Sequence, residues 1–272
     1  MLNISRETDK PFNEILQYFA MERLLYRLSQ SQYKDSFVLK GALLFRVWDV
    51  PDSRATRDID FLANVNNSPE HLASIFREIM VIEDNDGLVF EPESVQAQTI
   101  KEDADYEGVR VRFRALLGKA SITMQADIGF GDTVHPDAVS ADYPVILDLP
   151  APALRMYPPE TVIAEKAEAM VHLGSLNSRM KDFYDIWRLS QQFEYDDTVL
   201  SEAIRQTFEN RGTELLPFGE LKADLIRNEV LEKQWNAFLG KTGVSGPESF
   251  HETLDQIEGF LGPLFERGNN LK

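Results

Sequence analysis

Two aspartates, Asp58 and Asp60, stand one residue apart in the run Arg54-Ala55-Thr56-Arg57-Asp58-Ile59-Asp60-Phe61-Leu62-Ala63. The run reads as a β-strand, and side chains alternate faces along a strand. If the strand extends back to Arg54, then Arg54, Thr56, Asp58 and Asp60 share one face, while Ile59 and Phe61 share the other and face a core. Carboxylates at i and i+2 lie roughly 6–7 Å apart at the backbone. Their oxygens can converge on hard divalent cations, and Mg2+ takes few protein carboxylates and keeps positions open for substrate phosphates. The alternative is two solvated carboxylates on an edge strand.

Further candidates lie downstream. In Val109-Arg110-Val111-Arg112-Phe113-Arg114-Ala115 apolar and basic residues alternate without a break. In Ala120 to Ile128, Ile122, Met124, Ala126 and Ile128 take one face, and Ser121, Thr123, Gln125 and Asp127 take the other. Gly118 in the short connection predicts a hairpin. Asp127 falls on the polar face near a strand end and offers a third carboxylate, or simply opens the following loop. Arg110, Arg112 and Arg114 form either a phosphate-tracking surface or a solvated face balanced by nearby Glu and Asp.

Lys166 has apolar neighbours at i±3 and i±4: Val162, Ile163, Ala169 and Met170. A lysine centred on an apolar face either snorkels or points into a cavity. Asp182 and Asp185 are i,i+3 neighbours on a helix starting near Asn177. Lys181 and Asp185 are i,i+4, which predicts a surface ion pair.

The elements that must position these groups follow from local signals. Pro11 to Gln30 reads as a helix with an apolar stripe of Phe12, Ile15, Leu16, Phe19, Leu24 and Leu28. Phe37-Val38-Leu39-Lys40 reads as a short buried strand, followed by a turn at Gly41 and a helix. Ser68-Pro69-Glu70 opens another helix, with Leu72, Ile75, Phe76 and Ile79 as its apolar face. Leu88 to Phe90 and Val95 to Ile100 are β-leaning patches. Residues 131–153 read as a loop rich in proline, with a boundary near Pro150. Beyond it the pattern turns helical, with a helix from Pro159 to about Leu173 ended by Gly174. Later apolar stripes run Leu200, Ile204, Phe208 and Phe250, Leu254, Ile257, Leu261, Leu264. The expected class is α+β: a mixed sheet flanked by helices in 1–150, then a mainly helical part in 151–272.

The 272 residues carry 28 Lys and Arg against 45 Asp and Glu, a net charge of −17, and no cysteine. The absence of cysteine excludes disulfides, thiolate metal sites and a Cys nucleophile, and fits a reducing cytoplasm. The start, Met1 to Glu7, has no apolar signal-peptide core, and no apolar run approaches the ~20 residues that span a bilayer. A cytoplasmic chain with no membrane partner is expected. Such acidity disfavours nonspecific binding to nucleic acid, so an RNA substrate needs a local basic patch.

A strand, glycine and helix followed by Asp-apolar-Asp on the next strand resembles the polymerase-beta type of nucleotidyltransferase. The wording Leu39-Lys40-Gly41 … Arg54-x-Thr56-x-Asp58-Ile59-Asp60, joined to Ala164-Glu165-Lys166 and Arg179-x-Lys181-Asp182-x-x-Asp185-Ile186, is similar to the AbiEii/AbiGii toxin family of nucleotidyltransferases. That resemblance implies two Mg2+ held by Asp58 and Asp60, with Asp127 joining on one of them. It implies NTP as substrate, Lys40, Gly41, Arg54 and Thr56 among the substrate-binding residues, and Lys166 against the triphosphate. Asp182 or Asp185 would orient the acceptor, accept its proton, or fix Lys166. The implied acceptor is a hydroxyl, with tRNA ends one candidate, and the implied partner is a basic DNA-binding antitoxin. Gly41-Ala42 departs from the Gly-Gly or Gly-Ser usual at this place, so a serine contact to the triphosphate is missing. The rival readings are transfer to a small molecule such as an aminoglycoside, and a noncatalytic binding module on the same fold.

Overall fold

The alternating stretch around Asp58 forms the middle strand of a mixed sheet. The structure, a computed structural model, describes residues 1–51, 54–103 and 106–270. The chain divides into two units. The first comprises Met1–Asp49, Ala55–Gly131 and Val139–Met156; the second comprises Val50–Arg54, Asp132–Ala138 and Tyr157–Lys272.

The first unit contains α1 (Leu2–Thr8), α2 (Phe12–Ser29), β1 (Phe37–Lys40), α3 (Leu44–Val47), β2 (Asp58–Ala63), α4 (Pro69–Met80), β3 (Leu88–Asp103), β4 (Tyr106–Leu117), β5 (Ala120–Gly129), β6 (Val139–Asp142) and β7 (Ala153–Met156). Among the described residues the sheet has seven strands in the order β3-β4-β5-β2-β1-β7-β6. β2 runs antiparallel to β1 and parallel to β5, and β1 runs parallel to β7. Asp58 and Asp60 therefore lie on a central strand, not on an edge.

Local chemistry explains these elements. On β2 buried Ile59, Phe61 and Ala63 alternate with half-buried Asp58, Asp60 and Leu62, the period of a strand with one face in a core. α4 begins where Ser68 Oγ accepts from His71 N at 3.2 Å, with Pro69 in the first turn. Its apolar side chains meet the sheet through rings: Phe76 lies 5.7 Å from Phe113 and 6.5 Å from Phe37, and Phe37 lies 5.4 Å from Phe61. Such edge and tilted ring pairs add to the burial of the aromatic core.

Several expectations change. The strand begins at Asp58, not Arg54. Thr56 Oγ1 donates to Asp58 O at 3.4 Å, and Thr56 N donates to Tyr18 Oη at 3.0 Å. Local side-chain bonds of this kind compete with a ladder. The two β-leaning patches at 88–100 are parts of one strand, β3, with a register shift between Glu91 and Gln96. After Gly41 there is a 3-10 turn over Gly41–Leu43 and then the single turn α3, far shorter than a full helix. α2 carries charge inside its packed surface: Arg23 is fully buried and bonds Asp84, Asp86 and the Pro150 carbonyl. The segment 131–153 includes β6, which pairs with β7.

The second unit is helical: α5 (Pro159–Leu173), α6 (Met180–Gln192), α7 (Asp197–Arg211), α8 (Phe218–Ile226), α9 (Glu229–Thr242) and α10 (Phe250–Asn270). α5 packs on α6 and α7, and α10 packs on α6, α7 and α8. The stripes read from the sequence are its core: Leu200, Ile204, Phe208, Leu254, Ile257 and Leu261 are buried. Among the described residues no helix is long and apolar enough to cross a membrane.

Candidate active site

The candidate residues fall into two sets, one in each unit. In the first unit the strand registers lay the polar groups out in rows. Lys40 on β1 stands opposite Asp60 on β2, Asp60 stands beside Asp127 on β5, and Asp127 stands opposite Arg110 on β4. The next row places Asp58 beside Gln125 and Gln125 opposite Arg112. Residues paired across a sheet point to the same face, so the two rows form one polar surface.

Gly41, at the end of β1, is fitted to Asp60. Its φ is +76°, and a Cβ built there would stand 2.0 Å from Asp60 Oδ2. The backbone and the carboxylate approach more closely than any side chain permits, which is why glycine occupies this position.

Asp127 is gripped by arginine. Arg110 Nε donates to Asp127 Oδ1 at 2.8 Å and Arg110 Nη2 to Oδ2 at 2.7 Å. Gln125 Nε2 donates to the same Oδ2 at 3.2 Å. Such a fork–fork pair is among the stronger polar contacts in proteins. The other two arginines of the stripe also meet neighbouring strands: Arg112 Nε donates to Gln125 Oε1 at 3.2 Å, and Arg114 Nε to Glu91 Oε2 at 2.8 Å.

The donor chemistry of Asp58 and Asp60 suits a hard cation, since both are carboxylates on one face of one strand. The expected trio is not so arranged. Asp127 has both oxygens on Arg110, and among the described residues no three His, Asp or Glu side chains stand together as a metal cluster.

The second unit gathers Arg54, Lys166, Arg179, Asp182 and Asp185. Lys166 Nζ on α5 lies 2.7 Å from Asp182 Oδ1 and 2.8 Å from Asp185 Oδ2, both on α6. Arg54 Nε and Nη2 donate to the two oxygens of Asp185 at 3.1 and 2.9 Å. Arg179 Nε lies 2.6 Å from Asp182 Oδ2. Both aspartates are 0% exposed. Burial alone would raise the Asp182 carboxyl, but Lys166 and Arg179 outweigh it and hold the pKa at about 2. Burial would lower Lys166, but Asp182 and Asp185 outweigh it and raise its pKa.

Lys166 therefore does not snorkel: its ammonium ends on two buried carboxylates. The expected Lys181–Asp185 surface pair is replaced as well, because Asp185 points inward to Arg54 and Lys166, and Lys181 is exposed. Arg54 leaves the row with Thr56, Asp58 and Asp60 and belongs to this cluster. Arg179 has a sequence signal as a partner of Asp182, three residues apart at a helix start. Arg54 has none, being 131 residues from Asp185. The unit holds a second ionic group without a local sequence signal: Arg211 binds Glu168 at 2.8 Å and Asp132 at 2.9 Å, while Tyr157 Oη donates to Glu165 at 3.0 Å.

A family model described as "Nucleotidyl transferase AbiEii toxin, Type IV TA system" matches residues 23–257. No curated protein matches the sequence. A crystal structure from H. pylori that carries a nucleotidyltransferase assignment is similar in fold, with a TM-score of 0.52 at 15% identity, covering 96% of this chain and 99% of that one. The crystal structure of JHP933 from Helicobacter pylori matches with a TM-score of 0.49 at 14% identity, covering 96% of this chain and 95% of that one.

Proposed function

Because the chain belongs to the AbiEii family of nucleotidyltransferase toxins of type IV toxin–antitoxin systems, we propose that it transfers NMP from an NTP to an acceptor hydroxyl with the help of Mg2+. One observation carries the metal dependence: Asp58 and Asp60 project from the same face of the central strand, with Asp60 set against Gly41. These two carboxylates would hold Mg2+, which when bound supplies positive charge to the triphosphate and to the displacement at its α-phosphorus.

The reaction balances simply. The acceptor oxygen forms a bond to the α-phosphorus, the bond from that phosphorus to the bridging oxygen breaks, and pyrophosphate leaves with the electron pair. The hydroxyl proton goes to solvent or to a base. Positioning and electrostatics are what the protein contributes to such a transfer.

Asp182 and Asp185 are read as the groups that fix Lys166. The Asp182 carboxyl, held at about 2, is a poor proton acceptor near neutrality. The cluster sets Lys166, Arg54 and Arg179 against two carboxylates. Three cationic side chains gathered at one place support a part in holding an anionic phosphate.

The acceptor reading has two forms. RNA, tRNA ends included, would use the exposed arginines of β4. A small hydroxylated molecule is favoured by the engagement of Arg110 and Arg114 with acidic neighbours, which leaves the stripe less charge for a phosphate backbone. The family also implies an antitoxin, for which a basic DNA-binding protein is the proposed form. The deciding experiment incubates the protein with each labelled NTP, Mg2+ and total RNA. Labelled RNA supports the first form, a labelled small molecule in a cell extract supports the second, and no labelled product with any NTP in either mixture would overturn the transfer.

A further inference from the structure

The proposed metal dependence leaves the role of Asp127 unexplained, and the sheet registers bear on it. Along one row, Lys40, Asp60, Asp127 and Arg110 follow each other on β1, β2, β5 and β4. The signs run plus, minus, minus, plus. Neighbouring strands lie about 4.8 Å apart, so two carboxylates side by side repel unless cations stand against them. Each is flanked by one, and the cation on the Asp127 side is an arginine.

Resting on the metal reading above, we infer that Arg110 stands where a second divalent cation would otherwise be needed, so that the Asp58 and Asp60 pair holds a single ion and Asp127 is a positioning residue for Arg110. Three contacts support this. Both guanidinium bonds to Asp127 are short, at 2.8 and 2.7 Å, and each uses a different oxygen. The amide of Gln125 adds a third donor on Oδ2 at 3.2 Å, and Arg112 holds that amide in turn. Asp127 is thus supplied with donors from its own strand and from β4, and is 8% exposed. An arginine does not deprotonate in proteins, so the charge it brings is permanent and needs no metal in solution. Its planar fork matches a carboxylate in a way that a hydrated ion must break to enter.

The inference separates this chain from a three-carboxylate, two-ion arrangement, and it changes what removal of each residue does. The test is Mn2+ binding to the full chain, followed by electron paramagnetic resonance of the unbound ion. Asp60→Asn sets the background, because an acidic protein holds some Mn2+ anywhere on its surface. The wild type should bind one ion above that background. Asp127→Asn should keep that ion with affinity changed by less than about threefold, well under the tenfold that corresponds to a lost ligand. Arg110→Gln releases Asp127, and should gain a second ion or tighten binding by roughly tenfold. The double variant Arg110→Gln, Asp127→Asn removes the pair together and should lose that gain, which shows that the gain comes from Asp127 and not from a loosened fold.

Two ions on the wild type above background, a loss of about tenfold or more in Asp127→Asn, or wild-type binding in Arg110→Gln would each overturn the inference while leaving metal dependence standing. If wild type and Asp60→Asn titrate alike, the metal reading itself fails, and the inference with it.

Discussion

Gly41 and Asp60 are fitted to one another so closely that a Cβ on the glycine would stand 2.0 Å from Oδ2 of the aspartate. The same glycine has φ +76°, a region that costs an L-residue about 1–2 kcal/mol. Two penalties therefore fall on Gly41→Ala, one in the backbone and one in the displaced carboxylate. The variant is expected to fold with a lowered melting temperature and to lose transfer activity by at least tenfold, on the order of 1.4 kcal/mol in the barrier. A thermal melt and a labelled-NTP assay check both. Wild-type activity in a folded Gly41→Ala would mean that the place of the Asp60 carboxylate does not matter.

Charge alone is removed by Asp58→Asn and Asp60→Asn. The amide keeps the side chain's size, so no cavity opens. The fold should be kept, while transfer falls by roughly 10²–10³. The pair of measurements matters, because lost activity with lost stability would report only unfolding. Full activity in either variant would end the metal reading.

What was legible in the sequence was what depends on neighbours a few residues apart. The alternation at Asp58–Ala63, the Ser68 cap and the hairpin around Gly118 are period and turn signals, and the structure has them. The Arg110–Asp127 pair was within reach. Counting back pair by pair from Leu117 opposite Ala120 across the turn brings Arg110 opposite Asp127. On the sequence both residues lie on polar faces of their strands. The partner of Asp185 was out of reach, because Arg54 lies in a stretch, Val50–Arg54, that belongs to the second unit although its neighbours on both sides belong to the first. The strand starts at Asp58 and not at Arg54 for a local reason: Thr56 bonds Asp58 through its hydroxyl and ends the run of alternation there.

Lys166→Ala tests the buried cluster. A lysine that snorkelled would lose only packing of its stem, on the order of 1 kcal/mol. Here its loss strips one cation from two carboxylates that are 0% exposed. Breaking a buried pair in this way costs about 3–5 kcal/mol, and that is the expected loss in denaturant titration at pH 7. The pH dependence follows from Asp182. Its folded pKa of about 2 lies below the ordinary 3.8, so the stabilisation it gives is present above 3.8 and is lost as pH falls toward 2. On the order of 2 kcal/mol is involved. In Lys166→Ala that acid-dependent part should shrink, because the largest force lowering the Asp182 carboxyl is gone. An unchanged stability profile between pH 5 and pH 2 in the variant (roughly the span over which a carboxylate titrates) would contradict the coupling.

The acceptor can be approached without removing either member of the Arg110–Asp127 pair. Arg112 and Arg114 lie on the same face of β4 as Arg110, but their side chains reach Gln125 and Glu91. Replacing both by glutamine leaves the Arg110–Asp127 pair in place. If RNA lies along β4, each arginine that meets a phosphate adds roughly 0.7 to the salt slope for a single strand. The double variant should then bind RNA more weakly, with a slope lower by about 1.4, while NTP use with a small acceptor stays as before. Under the small-molecule form, labelling is unchanged and no salt slope exists to lose. The measurement is RNA binding across a salt series for wild type and double variant, with the transfer assay run alongside. Equal slopes and equal RNA labelling in the two proteins would remove β4 as the path of an RNA backbone, and would leave Arg112 and Arg114 as sheet contacts whose partners lie on the neighbouring strands.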